Sequence, residues 1–381
     1  MNVEAQTHNP AAALGASEWI RERAWIVRWW LGGRAIVLAV ALVVGVVGPR
    51  GYLRTDERSQ AFGLLGAWDG RWYRIIASHG YLLIPGRQSD PAFFPLFPLL
   101  LRAVHAVGLG YETAGLLISN VAFFAALVAF NALSRELFGQ SFARRATVYL
   151  AIFPLGYVFS MSYPEAVVLG ALAVAGLAAL RGRWPVAAAF AAAAALARPE
   201  GLFVALPVLA AAAYRRRHTS ATSRGLAFGS AVAPAAALAS FPLYLGFVLH
   251  DPFAWSEAEK AWGRQFSPLG FIGAITSLPK TLSHNPELPR DVVCFVVYIV
   301  LLAAARRAGT PLPWLAGAAA VIVLPLFSGS FESIGRFGLL ALPVFWGLAW
   351  FGRNTVADRW ICVTSVILLV AATATIPFVF P

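Results

Sequence analysis

Apolar residues run along this chain in long blocks, separated by short polar or charged clusters. The blocks cover about 34–48, 113–133, 146–160, 166–180, 185–197, 201–213, 225–249, 291–305, 313–328, 337–351 and 360–379. Apolarity on every face of such segments predicts membrane-spanning helices rather than surface ones. The pattern therefore predicts an all-α polytopic membrane protein with about 11 transmembrane helices, roughly 9 to 12. Ahead of the first block, Glu18–Trp30 mixes charged and aromatic positions. It reads as an interfacial helix before a retained anchor, not as a cleaved signal peptide.

Orientation follows from the loops. With a cytoplasmic N-terminus, the inner loops hold Arg135/Arg144/Arg145, Arg181/Arg183, Arg215/Arg216/Arg217/Arg224, Arg306/Arg307 and Arg353/Arg359. Every inner loop is then basic, as the positive-inside rule requires. This holds only if residues 92–108 do not cross. Pro95, Pro98, Arg102 and His105 in that stretch suit an interfacial or re-entrant helix. The first external loop then spans about 50–110. A second, about 250–290, interleaves Trp255, Trp262 and Phe266 with Glu257, Glu259, Lys260 and Arg264. It reads as a surface-lying segment that closes a site. The Ala-rich run 186–197 reads as close helix packing by small residues. No fixed-period repeat is visible, so residues 1–381 read as a single membrane domain, with 1–33 as its cytoplasmic or interfacial lead.

Composition narrows the class. The chain is 59% hydrophobic and 13% charged, where a soluble domain has about a quarter of its residues charged. A net charge of +12 would suit nucleic acid, but the basic residues sit in topology-setting loops, so no nucleic-acid partner is expected. Cys294 and Cys362 lie inside apolar runs and predict two buried thiols, not a disulfide. His8, His79, His105, His218, His250 and His284 lack zinc-type spacing. No phosphate-binding loop, GxGxxG or CxxC pair occurs. No cofactor is required; a divalent metal stays open only if Asp69 and Glu165 meet.

The external side collects the residues with chemistry. Asp69 stands between Trp68 and a Gly-Arg-Trp-Tyr run, where aromatic faces partly desolvate a carboxylate that could act as a general base. The alternative is an interfacial aspartate paired with Arg71 or Arg74. Trp68, Trp72, Tyr73, His79, Tyr81 and Tyr163 are candidate substrate contacts. Glu165 opens a helix and is either a second site carboxylate or a favourable first-turn charge. Arg198, Arg264 and Arg336 are candidate phosphate ligands; Arg198 has a local ion pair with Glu200 or Glu165 as its alternative, Arg336 one with Glu332. Charge at membrane depth faces a partner or a wet cavity. A rival class, a lipid or sugar transporter or flippase, would need ionisable residues at mid-depth and related broken helices in two halves.

Six segments, in order, carry a family resemblance: WDGRWYRIIASHGY at 68–81, AFFPLFPLLLR at 92–102, FPLGYVFSMSYPEA at 153–166, RGRWPVAAAFAAAAALARPEG at 181–201, DPFAW…WGRQFSP at 251–268 and IGRFGLLALPVF at 334–345. Together they resemble the PIG-V family of mannosyltransferases. The resemblance implies a GT-C glycosyltransferase fold with its site on the non-cytoplasmic face. It further implies polyprenyl-phosphate mannose as donor, a lipid-linked or other hydroxyl acceptor, inversion at the anomeric carbon, and Asp69 as base. Another polyprenyl-phosphate sugar or a protein acceptor stays open within that fold. High Ala and Arg with very low Lys resembles a GC-rich bacterial genome, so a bacterial cell membrane is expected and the glycosylphosphatidylinositol acceptor is not carried over.

Overall fold

The computed structural model describes residues 16–48, 62–215, 220–282 and 288–379. His8, Arg50 with the first part of the external loop, Arg216, Arg217, His218 and His284 lie outside the described residues. Among the described residues no strand occurs. The helices, in chain order, are α1 Ala16–Val47, α2 Asp69–His79, α3 Leu96–His105, α4 Tyr111–Phe138, α5 Gln140–Ala151, α6 Glu165–Leu180, α7 Trp184–Ala197 and α8 Ala205–Arg215. They continue with α9 Ala221–Leu249, α10 Ala254–Ala261, α11 Gly270–Leu282, α12 Leu288–Arg307, α13 Leu312–Val323, α14 Leu342–Phe351 and α15 Thr355–Ala374.

Five described helices are long and apolar enough to cross a membrane: 20–47 of α1, α4, α9, α12 and α15. A sixth span arises if residues 334–340 and α14, bent by 85°, are taken together. The chain is thus an integral membrane protein. The other expected spans are shorter pieces. α6 has 16 residues and α7 has 14, short of the ~20 that a straight crossing takes. They are short because each ends at a charge: α6 starts on Glu165 and α7 stops at Arg198. The segment 92–108 forms α3, only 10 residues long, about 15 Å.

Two boundaries depart from the sequence pattern. The interfacial stretch and the anchor form one continuous helix, α1. Gly32 and Gly33 separate them in sequence but do not break the helix; a Cβ on Gly33 would lie 2.5 Å from the Ala151 carbonyl oxygen. The glycine serves close helix approach, not a turn. The run 146–160 is also not one helix. α5 stops at Ala151 and Gly156–Ser160 forms a 3-10 turn after Pro154, which cannot continue a helix.

The core runs through α4, α6, α7 and α9, packed in succession, with α12 against α14. Ala187, Ala191 and Ala194 of the Ala-rich run are fully buried, as small-residue packing requires. Cys294 and Cys362 are free and half-buried, less enclosed than their apolar setting predicts.

Candidate active site

Four distant segments meet at one cavity of about 610 Å³. Asp69 and Tyr73 come from α2, Arg198 and Glu200 from the break after α7, Glu259 and Arg264 from the α10 region, and Arg336 from the turn Ile334–Phe337. The sequence reading expected these segments on one face; the structure brings them into one space.

Local backbone explains how Asp69 is aimed. Trp68, which caps α2, has φ 58° and ψ −123°, a region costly for a bulky residue. Its indole N–H donates to the Ile376 carbonyl at 3.0 Å, which holds the conformation. The Asp69 backbone N–H then donates to the Tyr163 hydroxyl at 3.1 Å. Gly70 lets α2 lie on the 162–163 strip, where its Cβ position is 3.4 Å from that of Ser162.

Arg336 sits on a single helical turn entered through Ser333 at φ 66°. Asp291 of α12 secures that turn by accepting from the Ser333 and Gly335 backbone N–H groups, both at 2.9 Å. The Tyr298 hydroxyl donates to the Gly335 carbonyl at 2.6 Å. Neither Asp291 nor Tyr298 stands out in the sequence, although a carboxylate at the head of an apolar run is itself a signal.

Five buried charges form a chain of pairs. Arg336 Nη1 meets Asp69 Oδ2 at 2.5 Å, and its Nε lies 3.5 Å from Glu165 Oε1. Arg198 Nη1 donates to the same Glu165 oxygen at 2.7 Å. The Arg198 Nε and Nη2 donate to the two oxygens of Glu200 at 3.0 and 3.1 Å. Three carboxylates thus face two guanidiniums at low exposure, an arrangement viable only because every charge has a partner. Tyr163 lies under Arg336, with the guanidinium carbon 5.3 Å from the ring centre.

Asp69 therefore pairs with Arg336 rather than with Arg71 or Arg74, and Arg74 instead pairs with Glu112. Glu165 is buried behind the cavity and does not line it. Asp69 and Glu165 do approach each other, but through the Arg336 guanidinium, which supplies the positive charge between them. Among the described residues no group of three or more His, Cys, Asp or Glu is arranged to hold a metal ion.

Of the aromatic candidates only Tyr73 lines this cavity. Burial pushes its phenol well above the usual tyrosine range. Trp68 is committed to Ile376, and Trp72 packs on Phe93 and Trp262 at ring separations of 5.8 and 5.6 Å. Tyr163 lies beneath the charges. His79 is exposed beside Ser78. The Tyr81 hydroxyl donates to the Phe93 carbonyl at 2.8 Å, and its ring lines a separate cavity of about 380 Å³ beyond Phe241. Trp72 and Tyr81 thus pack against aromatic neighbours, Trp68 is tied to the backbone at Ile376, and none of these side chains lines the 610 Å³ cavity.

Arg264 is the cavity cation with the loosest pairing, 4.0 Å from Glu259 and about a third exposed. Burial pushes the Glu259 carboxyl up, and Arg264 opposes that shift. Nearby, Asp90 anchors the 80–95 loop by accepting from the Leu82 N–H at 2.7 Å. Burial pushes its carboxyl from 3.8 up to about 6. The folded protein therefore holds the proton more tightly than the unfolded chain. The stability this adds is complete below about 3.8 and is lost as pH rises through about 6. Asp90→Asn keeps the acceptor for Leu82 and removes the charge. Its unfolding temperature should exceed that of wild type at pH 8 and approach it at acid pH; equal shifts at both would contradict the burial cost.

No known protein family and no curated protein matches the sequence. Among solved structures, the fold is similar to the oligosaccharyltransferase of Archaeoglobus fulgidus in complex with zinc and sulfate. That match has TM-score 0.47 and 16% identity, over 89% of this chain and 53% of the other. The archaeal oligosaccharyltransferase AglB from Archaeoglobus fulgidus, with an inhibitory peptide and a dolichol-phosphate, matches at TM-score 0.47 and 13% identity, over 93% and 56%. This chain spans about half the length of the structures it matches.

Proposed function

We propose that this protein is a membrane glycosyltransferase that moves mannose from a polyprenyl-phosphate donor to a hydroxyl of a lipid-linked or other acceptor on the non-cytoplasmic face. The carrying observation is the shared cavity, in which a buried carboxylate, Asp69, lies beside cations drawn from three other segments. The order of the sequence motifs supports the choice of mannose and of a polyprenyl-phosphate donor.

The acceptor hydroxyl gives its proton to Asp69 as its oxygen attacks the anomeric carbon. The bond from that carbon to the phosphate oxygen breaks, polyprenyl phosphate leaves with the electron pair, and the configuration inverts. Asp69 Oδ2 is held by Arg336, which leaves Oδ1 as the oxygen that takes the proton. Arg198 spends its Nε, Nη1 and Nη2 on Glu165 and Glu200, so it shapes the site more than it receives phosphate. Arg264 is the principal phosphate ligand, with Arg336 second, and both stabilise the charge that develops on the leaving group.

The test is transfer by purified protein in nanodiscs, using radiolabelled polyprenyl-phosphate mannose and a membrane lipid extract. A new labelled product supports the reading; label that remains wholly on bound donor across hydroxyl acceptors contradicts it. Arg264→Gln should raise the donor KM about tenfold or more, the worth of a hydrogen bond to a charged group, with a smaller change in kcat. An unchanged KM would remove Arg264 from the donor site.

A further inference from the structure

Two prolines lie inside α9, Pro234 and Pro242. A helical proline has no N–H, so the carbonyl four residues earlier loses its helix partner. Pro242 releases the oxygen of Leu238, and Pro234 releases that of Ser230. The two positions face different surroundings. Ala235, Leu238, Ala239 and Pro242 all line the 610 Å³ cavity, at the spacing of one helix face. The Leu238 oxygen sits between the azimuths of residues 238 and 239, on that same face. Ser230 is fully buried in the packing.

An unbonded carbonyl is costly in a membrane helix, and it is tolerated where the helix lines a wet cavity or a ligand supplies the donor. Here the residue that carries the freed group lines the candidate site. We propose that the Leu238 carbonyl is a hydrogen-bond acceptor for a hydroxyl of the bound sugar, with Pro242 the residue that makes it available. The chemistry selects the ligand class. A neutral group that only accepts cannot bind phosphate or carboxylate, and a polyprenyl chain has no donor to offer. A sugar ring has several. The rest of this wall, Ala235, Leu238, Ala239 and Phe241, carries no polar side chain, so the carbonyl is what gives it direction.

This assignment rests on the glycosyltransferase reading above. The experiment compares kcat/KM of the full chain in nanodiscs for polyprenyl-phosphate mannose and its monodeoxy analogues. Pro242→Ala restores the N–H and closes the carbonyl, and it should lower kcat/KM about threefold to tenfold for the natural donor, the worth of one neutral hydrogen bond. One deoxy analogue, lacking the hydroxyl that Leu238 receives, should be used equally by wild type and variant. Pro234→Ala straightens the same helix away from the cavity and should match wild type. A Pro242→Ala protein with unchanged kcat/KM, an equal loss in Pro234→Ala, or the same discrimination with every analogue overturns the assignment. A wild-type protein that moves no sugar overturns the functional reading and this assignment together, whereas a transferring wild type indifferent to Pro242→Ala overturns this assignment alone.

Discussion

Under the proposed mechanism, Asp69→Asn should lower mannosyl transfer about a hundred- to ten-thousandfold, the usual worth of general-base assistance, while the protein keeps its fold. The substitution is selective because the amide oxygen still accepts from Arg336, which Asp69 now meets at 2.5 Å. The backbone N–H that reaches Tyr163 is untouched. What disappears is a group able to take the acceptor's proton. Single-turnover transfer in nanodiscs, beside an unfolding temperature for the same preparation, separates chemistry from folding. A variant with near-normal rate and normal stability would leave Asp69 as a structural partner of Arg336 and nothing more.

Glu165→Ala destabilises the protein by about 1–3 kcal/mol, the cost of leaving buried guanidinium N–H groups without their shared acceptor, while Arg198 keeps Glu200 and Arg336 keeps Asp69. Glu165 is fully buried and faces both Arg198 and Arg336. Removing it leaves the two guanidiniums near each other with only Asp69 and Glu200 to answer them. The unfolding temperature in detergent reports the loss, and Glu165→Gln should fall between variant and wild type because an amide still accepts a hydrogen bond. A wild-type unfolding temperature for Glu165→Ala would mean that solvent reaches this pair freely, contrary to its burial. Activity falls with it, since Arg336 holds both Asp69 and Glu165.

Much of the fold is legible in the apolar runs, because a helix that meets lipid must be apolar over its whole length. The blocks 113–133 and 225–249 reappear as the cores of α4 and α9. Prolines and charges set 92–108 apart from the longer runs, and α3 is short. The charged residues of the site were also visible, since they stand in short clusters between apolar runs. Their pairing was legible only in part: Arg198 with Glu200 or Glu165 was among the readings of the sequence, and the structure shows both pairs. Arg336 finds Asp69 across 267 positions, and no local pattern encodes that. Asp291 escaped notice for the same reason; it secures backbone N–H groups 42 and 44 residues away, and backbone groups leave no trace in a sequence. The surroundings of the aromatics were equally hidden. Trp68 and Trp72 have the composition of a sugar platform, but Ile376, Phe93 and Trp262 take up their polar edge and their faces.

The long separation between Asp69 and Arg336 has a consequence during biosynthesis. At about 5–20 residues per second, Arg336 leaves the ribosome about 13 to 53 s after Asp69, given the 267 residues between them. Asp69 and Glu165 enter the membrane first and have no arginine of this cluster to meet until Arg198 arrives. Through that interval they must stay hydrated or keep a proton. The cluster is therefore completed late, when the turn that carries Arg336 closes on carboxylates made long before it.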